Sequence, residues 1–108
     1  MTNAQSFVVF YFCKNVLNDS HRTVLEQILQ RGIQLYKDGE FDAALYEFGE
    51  FMKSKEETAG VYFMTADIFY RKGNFKGAIE FFDKSLVLDP FNSETYLLRA
   101  NCYHEIQE

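Results

Sequence analysis

From Leu25 onward, hydrophobic side chains recur every three or four residues, which is the spacing of one face of an α-helix. The pattern is interrupted at "KDGE" around Gly39, at "RKGN" around Gly73 and at "DPFNS" around Pro90. Glycine readily adopts the left-handed backbone that ends many helices, and proline cannot continue one. The pattern therefore predicts consecutive helices joined by short turns, with Ser93 as the N-cap of a last helix that runs to about residue 106.

The chain also repeats itself at a spacing of 34 residues. "GEFDAALYEF" begins at Gly39, and the similar "GNFKGAIEFF" begins at Gly73. When residues 25–58 are laid over residues 59–92, the matches concentrate at small and aromatic side chains. A third unit begins at Ser93 and ends after one helix. A period of this size indicates stacked copies of one supersecondary unit, because a single unit cannot bury its own apolar faces.

The repeated phrase is explained as the turn and the second helix of a helical hairpin. A glycine permits the turn, and an aromatic ring pins the start of the helix. A small residue then lets two helices cross closely, and a second ring fills the space beyond the crossing. In the two units these positions are Gly39 and Gly73, Phe41 and Phe75, Ala44 and Ala78, and Phe48 and Phe82.

This pattern resembles the tetratricopeptide repeat family, from residue 25 to about residue 106. The resemblance implies an all-α fold, a right-handed stack of antiparallel helical hairpins that forms an α-solenoid. We therefore divide the chain into an N-terminal apolar segment at 1–23, which lies outside the resemblance, and a repeat domain at 24–108, which holds repeat 1 at 25–58, repeat 2 at 59–92 and a partial repeat or capping helix at 93–108. The positions that have the family's residue types are Gly32, Gly39, Phe41, Ala44, Phe48, Ala66, Phe69, Gly73, Phe75, Ala78, Phe82, Pro90, Ala100 and Tyr103.

The sequence also departs from the family pattern. Arg31, Thr65 and Arg99 precede the small residue of each first helix, where the family often has leucine. Glu56 stands where repeat 1 would have its closing proline. The third repeat lacks its second helix, so its one helix is either a capping helix or part of a longer array. Its polar outer residues favour the first interpretation, and its apolar ones favour the second.

In this family the first helix of each repeat lines a concave groove that binds protein segments. The resemblance therefore implies a protein–protein interaction scaffold that binds a helical or extended peptide, and it implies no enzymatic activity. Helical geometry places a mainly apolar stripe on this surface. These side chains either face a partner, since so large a stripe would need to be covered, or pack between neighbouring first helices. The predicted groove residues are Leu29, Ile33, Tyr36, Phe63, Met64, Asp67, Tyr70, Arg71, Leu97, Leu98 and Asn101.

One version of the family grips the acidic C-terminal tails of chaperones with a clamp of Lys, Asn and Arg. The corresponding positions here are Leu29, Ile33, Met64, Glu94 and Leu98, and none has the required residue type. We therefore expect no capture of chaperone tails. The alternative function is a structural fragment of a longer array that acts in spacing or self-assembly, for example as a homodimer. A third is an accessory subunit of an enzyme.

Composition and charge argue against further classes of binding partner. The net charge of −5 and the pI near 5.0 argue against nucleic acid, which requires clustered Lys and Arg, and against anionic membranes. Cys13 and Cys102 are read as reduced thiols of a cytoplasmic protein. The two histidines, His21 and His104, form no metal-ligand spacing, and no catalytic set or phosphate-binding loop occurs. We therefore expect a protein or peptide partner, no cofactor and no catalysis.

The N-terminal segment contains the apolar run "FVVFYFC", which begins at Phe7. The run is too short to span a bilayer and lacks the preceding basic residues of a signal peptide. Its residues favour a strand, but no partner strand is evident, and an unpaired strand leaves backbone groups unsatisfied. We predict a helix over about residues 4–17, packed on the first hairpin near Leu25, Ile28 and Leu45. The rival is an extended segment that lies in the groove as an internal ligand.

Overall fold

The computed structural model describes residues 23–107, and every regular element within that range is an α-helix. The helices are α1 over residues 23–37, α2 Phe41–Lys53, α3 Ala59–Arg71, α4 Phe75–Leu88 and α5 Ser93–Ile106. The prediction of an all-α fold built from helical hairpins is confirmed for this part of the chain. The helix predicted over residues 4–17, its contacts with the first hairpin and the rival extended arrangement lie outside the described residues.

The two predicted glycine turns have the same geometry. Gly39 and Gly73 adopt positive φ angles of 82° and 83°. In each turn the glycine amide donates to the carbonyl three residues earlier, at 3.2 and 3.1 Å. The following amide donates to the carbonyl five residues earlier, at 2.9 Å in both turns. This pair of bonds is the Schellman motif, which ends a helix and turns the chain back sharply. Any other residue would be strained at this φ.

Side chains cap the starts of three helices. Thr58 precedes α3, Asn74 precedes α4 and Asn92 precedes α5, and each side-chain oxygen accepts a hydrogen bond from the amide three residues later. The prediction that Ser93 would cap the last helix is therefore wrong by one residue. The Asn92 oxygen lies 3.3 Å from the amide nitrogen of Thr95, which leaves Ser93 as the first residue of the helix.

The helices cross at the predicted small residues. Ala44 and Ala78 are fully buried, and so are the rings of Phe48 and Phe82 one turn further along. At Gly32 of α1, an added Cβ would lie 2.7 Å from Cε1 of Phe48. That separation is shorter than carbon atoms tolerate, so the crossing of α1 and α2 leaves room for a hydrogen only.

Within residues 23–107 the core consists of two clusters that share α3. The first cluster has Ala44, Phe48, Phe51, Val61 and Ile68 as its buried members, and the second has Ala66, Ala78, Phe82 and Cys102. Helix α3 therefore contributes to both, with different sides of the same helix. In contrast, α5 joins the core through the second cluster. The stack is thus held together by the central first helix.

Three residues stand where the tetratricopeptide repeat family often has leucine, namely Arg31, Thr65 and Arg99. Arg31 pairs with Glu47 across the first hairpin at 3.9 Å, and Arg99 pairs with Asp83 of α4 at 2.7 Å. Thr65 is buried, and its hydroxyl has no hydrogen-bond partner among the described residues. The two arginines therefore link neighbouring helices through charge, at positions where the family uses apolar contact.

None of the helices that the structure describes is both long enough and apolar enough to cross a membrane.

Candidate functional site

The predicted groove residues lie on the first helices, α1, α3 and α5, and we call the side that carries them the first-helix surface. Its centre is a polar network between α1 and α3. The Tyr36 hydroxyl donates a hydrogen bond to Oδ2 of Asp67. Nε of Arg71 donates to the same oxygen at 3.0 Å. Asp67 is only 6% exposed, and a buried carboxylate requires such partners to offset its lost hydration.

Arg71 is held in place by its spacing from Asp67 along α3 and by aromatic rings on either side of the Gly39 turn. Asp67 and Arg71 are four residues apart on α3, so they occupy one side of the helix. The Arg71 guanidinium carbon lies 5.9 Å from the centre of the Tyr36 ring and 5.6 Å from that of Phe41. Both distances are within the range of cation–π attraction. The side chain of Arg71 stays 55% exposed, and its terminal nitrogens have no acceptor within residues 23–107. The network thus presents an oriented cation with free donors.

The network also changes the acidity of Tyr36. Burial, the hydrogen bond to Asp67 and the charge of that carboxylate raise the pKa of Tyr36 to about 12, while the charge of Arg71 opposes them. The charge of Glu94 on α5 also raises the pKa of Tyr36. With a pKa this high the Tyr36 hydroxyl stays protonated at neutral pH, so it remains a donor to Asp67.

On α5, Glu94, Leu97 and Asn101 lie at helical spacing on one side. Leu97 is 61% exposed, and Asn101 is also exposed. The predicted groove residues thus include an oriented cation, an exposed aliphatic side chain and an exposed amide.

The other apolar groove residues are half-buried. Leu29, Ile33 and Met64 pack against the first cluster, and Phe63, Tyr70 and Leu98 pack against the second. The Phe63 ring meets that of Phe82 edge-on at 5.9 Å. These side chains can touch a partner with only part of their surface, and they also support the fold. Of the apolar set, Leu97 alone is exposed by more than half within the described range.

Sequence reasoning included Tyr36, Asp67 and Arg71 in the groove but did not find their contacts. The spacing of Asp67 and Arg71 was a usable signal, since residues four apart on a helix meet. Tyr36 lies 31 residues from Asp67, and no local pattern connects them. The role of Phe41 beneath the guanidinium was also missed, because that ring was assigned only to pinning the start of α2.

The two repeat positions of α5, Ala100 and Tyr103, are exposed. The equivalent residue of Ala100 in α3 is Ala66, which is fully buried against α4. No helix of the described range packs on this side of α5. The structure therefore has a second exposed surface, separate from the first-helix surface.

Within residues 23–107, no group of three or more His, Cys, Asp or Glu side chains is placed to hold a metal ion. A shallow surface pocket near α4 is lined by Glu57, Tyr62, Lys84, Val87 and Leu88. It contains one cation, Lys84, and one carboxylate, Glu57.

In a comparison with known families, residues 59–92 match the tetratricopeptide repeat. Comparison with curated proteins found no match. The matched range holds α3, the Gly73 turn and α4. Such repeats generally mediate protein–protein interactions and are typically non-catalytic. Residues 59–92 of the chain are thus similar to a tetratricopeptide repeat, and the other described helices are consistent with the same repeat architecture.

Proposed function

We propose that this chain is a protein-interaction scaffold that holds a helical or extended peptide segment in a concave groove formed by the first-helix surface. The observation that carries the proposal is the Tyr36–Asp67–Arg71 network, which fixes a half-exposed cation between neighbouring repeats. Binding sites commonly combine an apolar lining with a few oriented polar groups. Here Arg71 supplies the oriented group, and the half-buried apolar side chains supply the lining.

Each exposed group has a role in holding such a segment. Leu97 offers an apolar anchor, and the Asn101 amide can both donate to and accept from a peptide backbone. The terminal nitrogens of Arg71 donate to a carbonyl or carboxylate of the segment. The groove is not a clamp for chaperone tails, because the clamp positions are apolar or acidic. The interaction instead uses apolar contact with one fixed cationic donor.

A displayed library of random peptides tests this proposal. Peptides selected on the wild-type chain should lose binding to Leu97→Lys, because the charge replaces the apolar anchor. Leu97 is a better target than Met64 or Leu98, which support the core clusters. Tyr46→Lys is the matched control, since Tyr46 is 67% exposed on α2. Helicity measured by circular dichroism should stay unchanged in both variants. Selected peptides that bind all three proteins equally would contradict the groove.

We further propose that the scaffold works in the cytoplasm and catalyses no reaction. Cys102 is a free, fully buried thiol, and burial raises the pKa of that thiol. A thiol of this kind is unreactive and suits a reducing compartment. The acidic charge of the chain favours protein over nucleic acid as the partner.

A second candidate function is spacing or self-assembly, and the exposed side of α5 favours it. A homodimer that covers this side or the groove would sediment at twice the mass of the chain. Sedimentation over a range of concentrations separates the candidates, because a peptide-binding monomer keeps one mass throughout.

A further inference from the structure

The contact between repeat 1 and α3, which we call the first junction, shows how this fold holds a cation. The rings of Tyr36 and Phe41 meet edge-on, with their centres 6.3 Å apart. The guanidinium carbon of Arg71 lies 5.9 Å from the first ring centre and 5.6 Å from the second. Nε of Arg71 donates to Asp67, one turn earlier on α3. Two rings and one carboxylate thus fix one guanidinium at this junction.

The same pair of rings recurs 34 residues later, at the contact between repeat 2 and α5, which we call the second junction. Tyr70 and Phe75 also meet edge-on, with ring centres 5.6 Å apart. Both rings are half-buried, so each keeps part of its surface open to a bound molecule. No lysine or arginine side chain of residues 23–107 lies over either ring. The second junction therefore has the aromatic pair of the first and lacks its cation among the described residues.

Helix α5 packs beside the second aromatic pair in the register of the repeat. Cys102 takes the place of Ile68, and both side chains are fully buried. The first aromatic pair packs against the cluster that contains Ile68, and the second pair packs against the cluster that contains Cys102. Each position of α3 at the first junction therefore has its equivalent in α5 at the second.

Two of these equivalent positions differ in charge. Glu105 stands where the first junction has Arg71, and Asn101 stands where it has Asp67. Glu105 and Asn101 are exposed and lie one turn apart on one side of α5. Neither side chain has a hydrogen bond or an ion pair within the described part of the chain. The face of an aromatic ring repels an anion and attracts a cation. The rings and the carboxylate of the second junction are therefore complementary to a cation.

Lys76, at the start of α4, does not have the position of that cation. It stands where the first hairpin has Asp42, and Asp42 pairs with Lys72 and not with Arg71. The equivalent of Lys72 at the second junction is Ile106, so the repeat directs Lys76 towards Ile106. Lys76 is exposed and forms no ion pair within residues 23–107.

We propose that the second junction is a binding site for one arginine side chain of the segment that the groove holds. The guanidinium lies over the rings of Tyr70 and Phe75, as Arg71 lies over the first pair. Its nitrogens donate to the carboxylate of Glu105, and the side-chain oxygen of Asn101 accepts a further hydrogen bond. The inference rests on the proposed function, because the arginine arrives on the bound segment.

The chemistry of the site favours arginine over lysine. A planar guanidinium can lie on a ring face and pair with a carboxylate at the same time, whereas an ammonium group is more strongly hydrated and acts as a point charge. The first junction already holds a guanidinium in this way. The net charge of −5 also favours the approach of a basic segment.

Selection of a displayed random peptide library on charge-reversed variants tests the site. Arginine should be enriched at one position of the peptides selected on the wild-type chain. On Glu105→Arg that arginine should be lost in favour of aspartate or glutamate. Glu56→Arg is the matched control, because Glu56 is exposed on the turn before α3 and its replacement changes the net charge equally. Circular dichroism checks that both variants are folded. Arginine enriched equally on all three proteins would overturn the site.

A double-mutant cycle on one selected peptide measures the contact itself. Citrulline in place of the arginine keeps the planar shape and removes the charge, so it should weaken binding to the wild-type chain by about tenfold. Glu105→Gln should weaken binding of the arginine peptide by about threefold and that of the citrulline peptide by less than about 1.5-fold. Equal effects of Glu105→Gln on the two peptides would show that the carboxylate does not contact the arginine.

The chain itself has two cations in residues 1–22 that could compete for the site, Lys14 and Arg22. A protein with both Lys14→Gln and Arg22→Gln separates this source from the bound segment. Arginine should be enriched on it as on the wild-type chain. Enrichment on the double variant alone would show that the N-terminal residues occupy the site, and it would overturn the assignment to the bound segment.

The same selection separates this inference from the proposed function. Peptides that lose binding to Leu97→Lys but have no enriched arginine would support the groove and overturn the arginine site. A selection that enriches no peptide would overturn both. Enriched arginine that depends on Glu105 would support both.

Discussion

Helices α3 and α5 occupy the same position in successive repeats, yet they are buried to very different extents. Both bury the side that faces the preceding second helix: Ile68 in α3 and Cys102 in α5 are fully buried. On the opposite side Ala66 is buried and Ala100 is exposed, although both are alanines. The difference teaches that the repeat pattern defines which sides of a helix can bind a neighbour. Whether a neighbour is present depends on the rest of the assembly.

The largest expected effect comes from placing the same ring at both alanines. Ala66→Phe should lower the free energy of unfolding by about 3 kcal/mol, because the crossing with α4 has room for a methyl group only. Ala100→Phe should change it by less than about 0.5 kcal/mol, as at other exposed positions. Urea unfolding followed by circular dichroism measures both. Equal costs at the two sites would mean that α5 is covered in solution.

Gly32 extends the comparison to α1. Gly32→Ala should destabilise the chain by about 1–2 kcal/mol, even though alanine favours helix formation by about 1 kcal/mol. The added Cβ would stand 2.7 Å from Cε1 of Phe48, so the ring or the helix must move. Ala100→Gly on α5 is the control and should follow helix propensity alone. A stabilised Gly32→Ala protein would show that α1 is further from α2 than described.

Helices α3 and α5 also differ in their polar contacts. The position of the buried Asp67 in α3 is taken by the exposed Asn101 in α5. Tyr36→Phe should cost about 1–1.5 kcal/mol at neutral pH, since it removes a hydrogen bond to a buried carboxylate. Asn101→Ala should cost less than about 0.5 kcal/mol. Thermal and urea unfolding of the two variants measure the difference.

The cost of Tyr36→Phe should also depend on pH. The folded pKa of Tyr36 is about 12, above the value near 10 of an unfolded tyrosine. The stabilisation linked to its proton is therefore complete below about pH 10 and is lost as the pH rises towards about 12. Wild type and Tyr36→Phe should thus converge in stability over this range. A difference that stays constant from pH 9 to pH 11.5 would contradict the raised pKa.

The smallest effect concerns Thr95, which takes the place of Val61. Both side chains are buried, but the Thr95 hydroxyl has no hydrogen-bond partner in the described part of the chain. Thr95→Val should raise the free energy of unfolding by about 1 kcal/mol, because it removes an unsatisfied polar atom at nearly constant volume. Val61→Thr should have the opposite sign. A destabilised Thr95→Val protein would indicate that a water or an additional partner binds the hydroxyl.

For much of the candidate site, the sequence predicted which residues to consider but not what they contact. Met64 and Leu98 have the spacing of groove residues, and that spacing does not reveal that both pack against the core clusters. Helical periodicity shows which residues share a side of one helix. The extent to which a residue between two sides is covered depends on how closely the next helix approaches.

The sequence by itself determined the helices, the period and the turns, because these depend on neighbours within a few residues. Gly39 and Gly73 can adopt the left-handed backbone geometry that ends a helix, and both have positive φ angles in the structure. Ala44 and Ala78 recur at the period of the repeat and lie at the crossings. Residue type and spacing were sufficient there.

The tertiary structure alone decided which equivalent residues are buried and which charged groups meet. Tyr36 reaches Asp67 across 31 residues of chain, and the contact exists only because α1 and α3 stack side by side. Ala100 has the same residue type and spacing as Ala66, but it remains exposed without a second helix beside it. A residue is buried only where a second surface covers it, and the periodic pattern of one helix describes the surface of that helix alone.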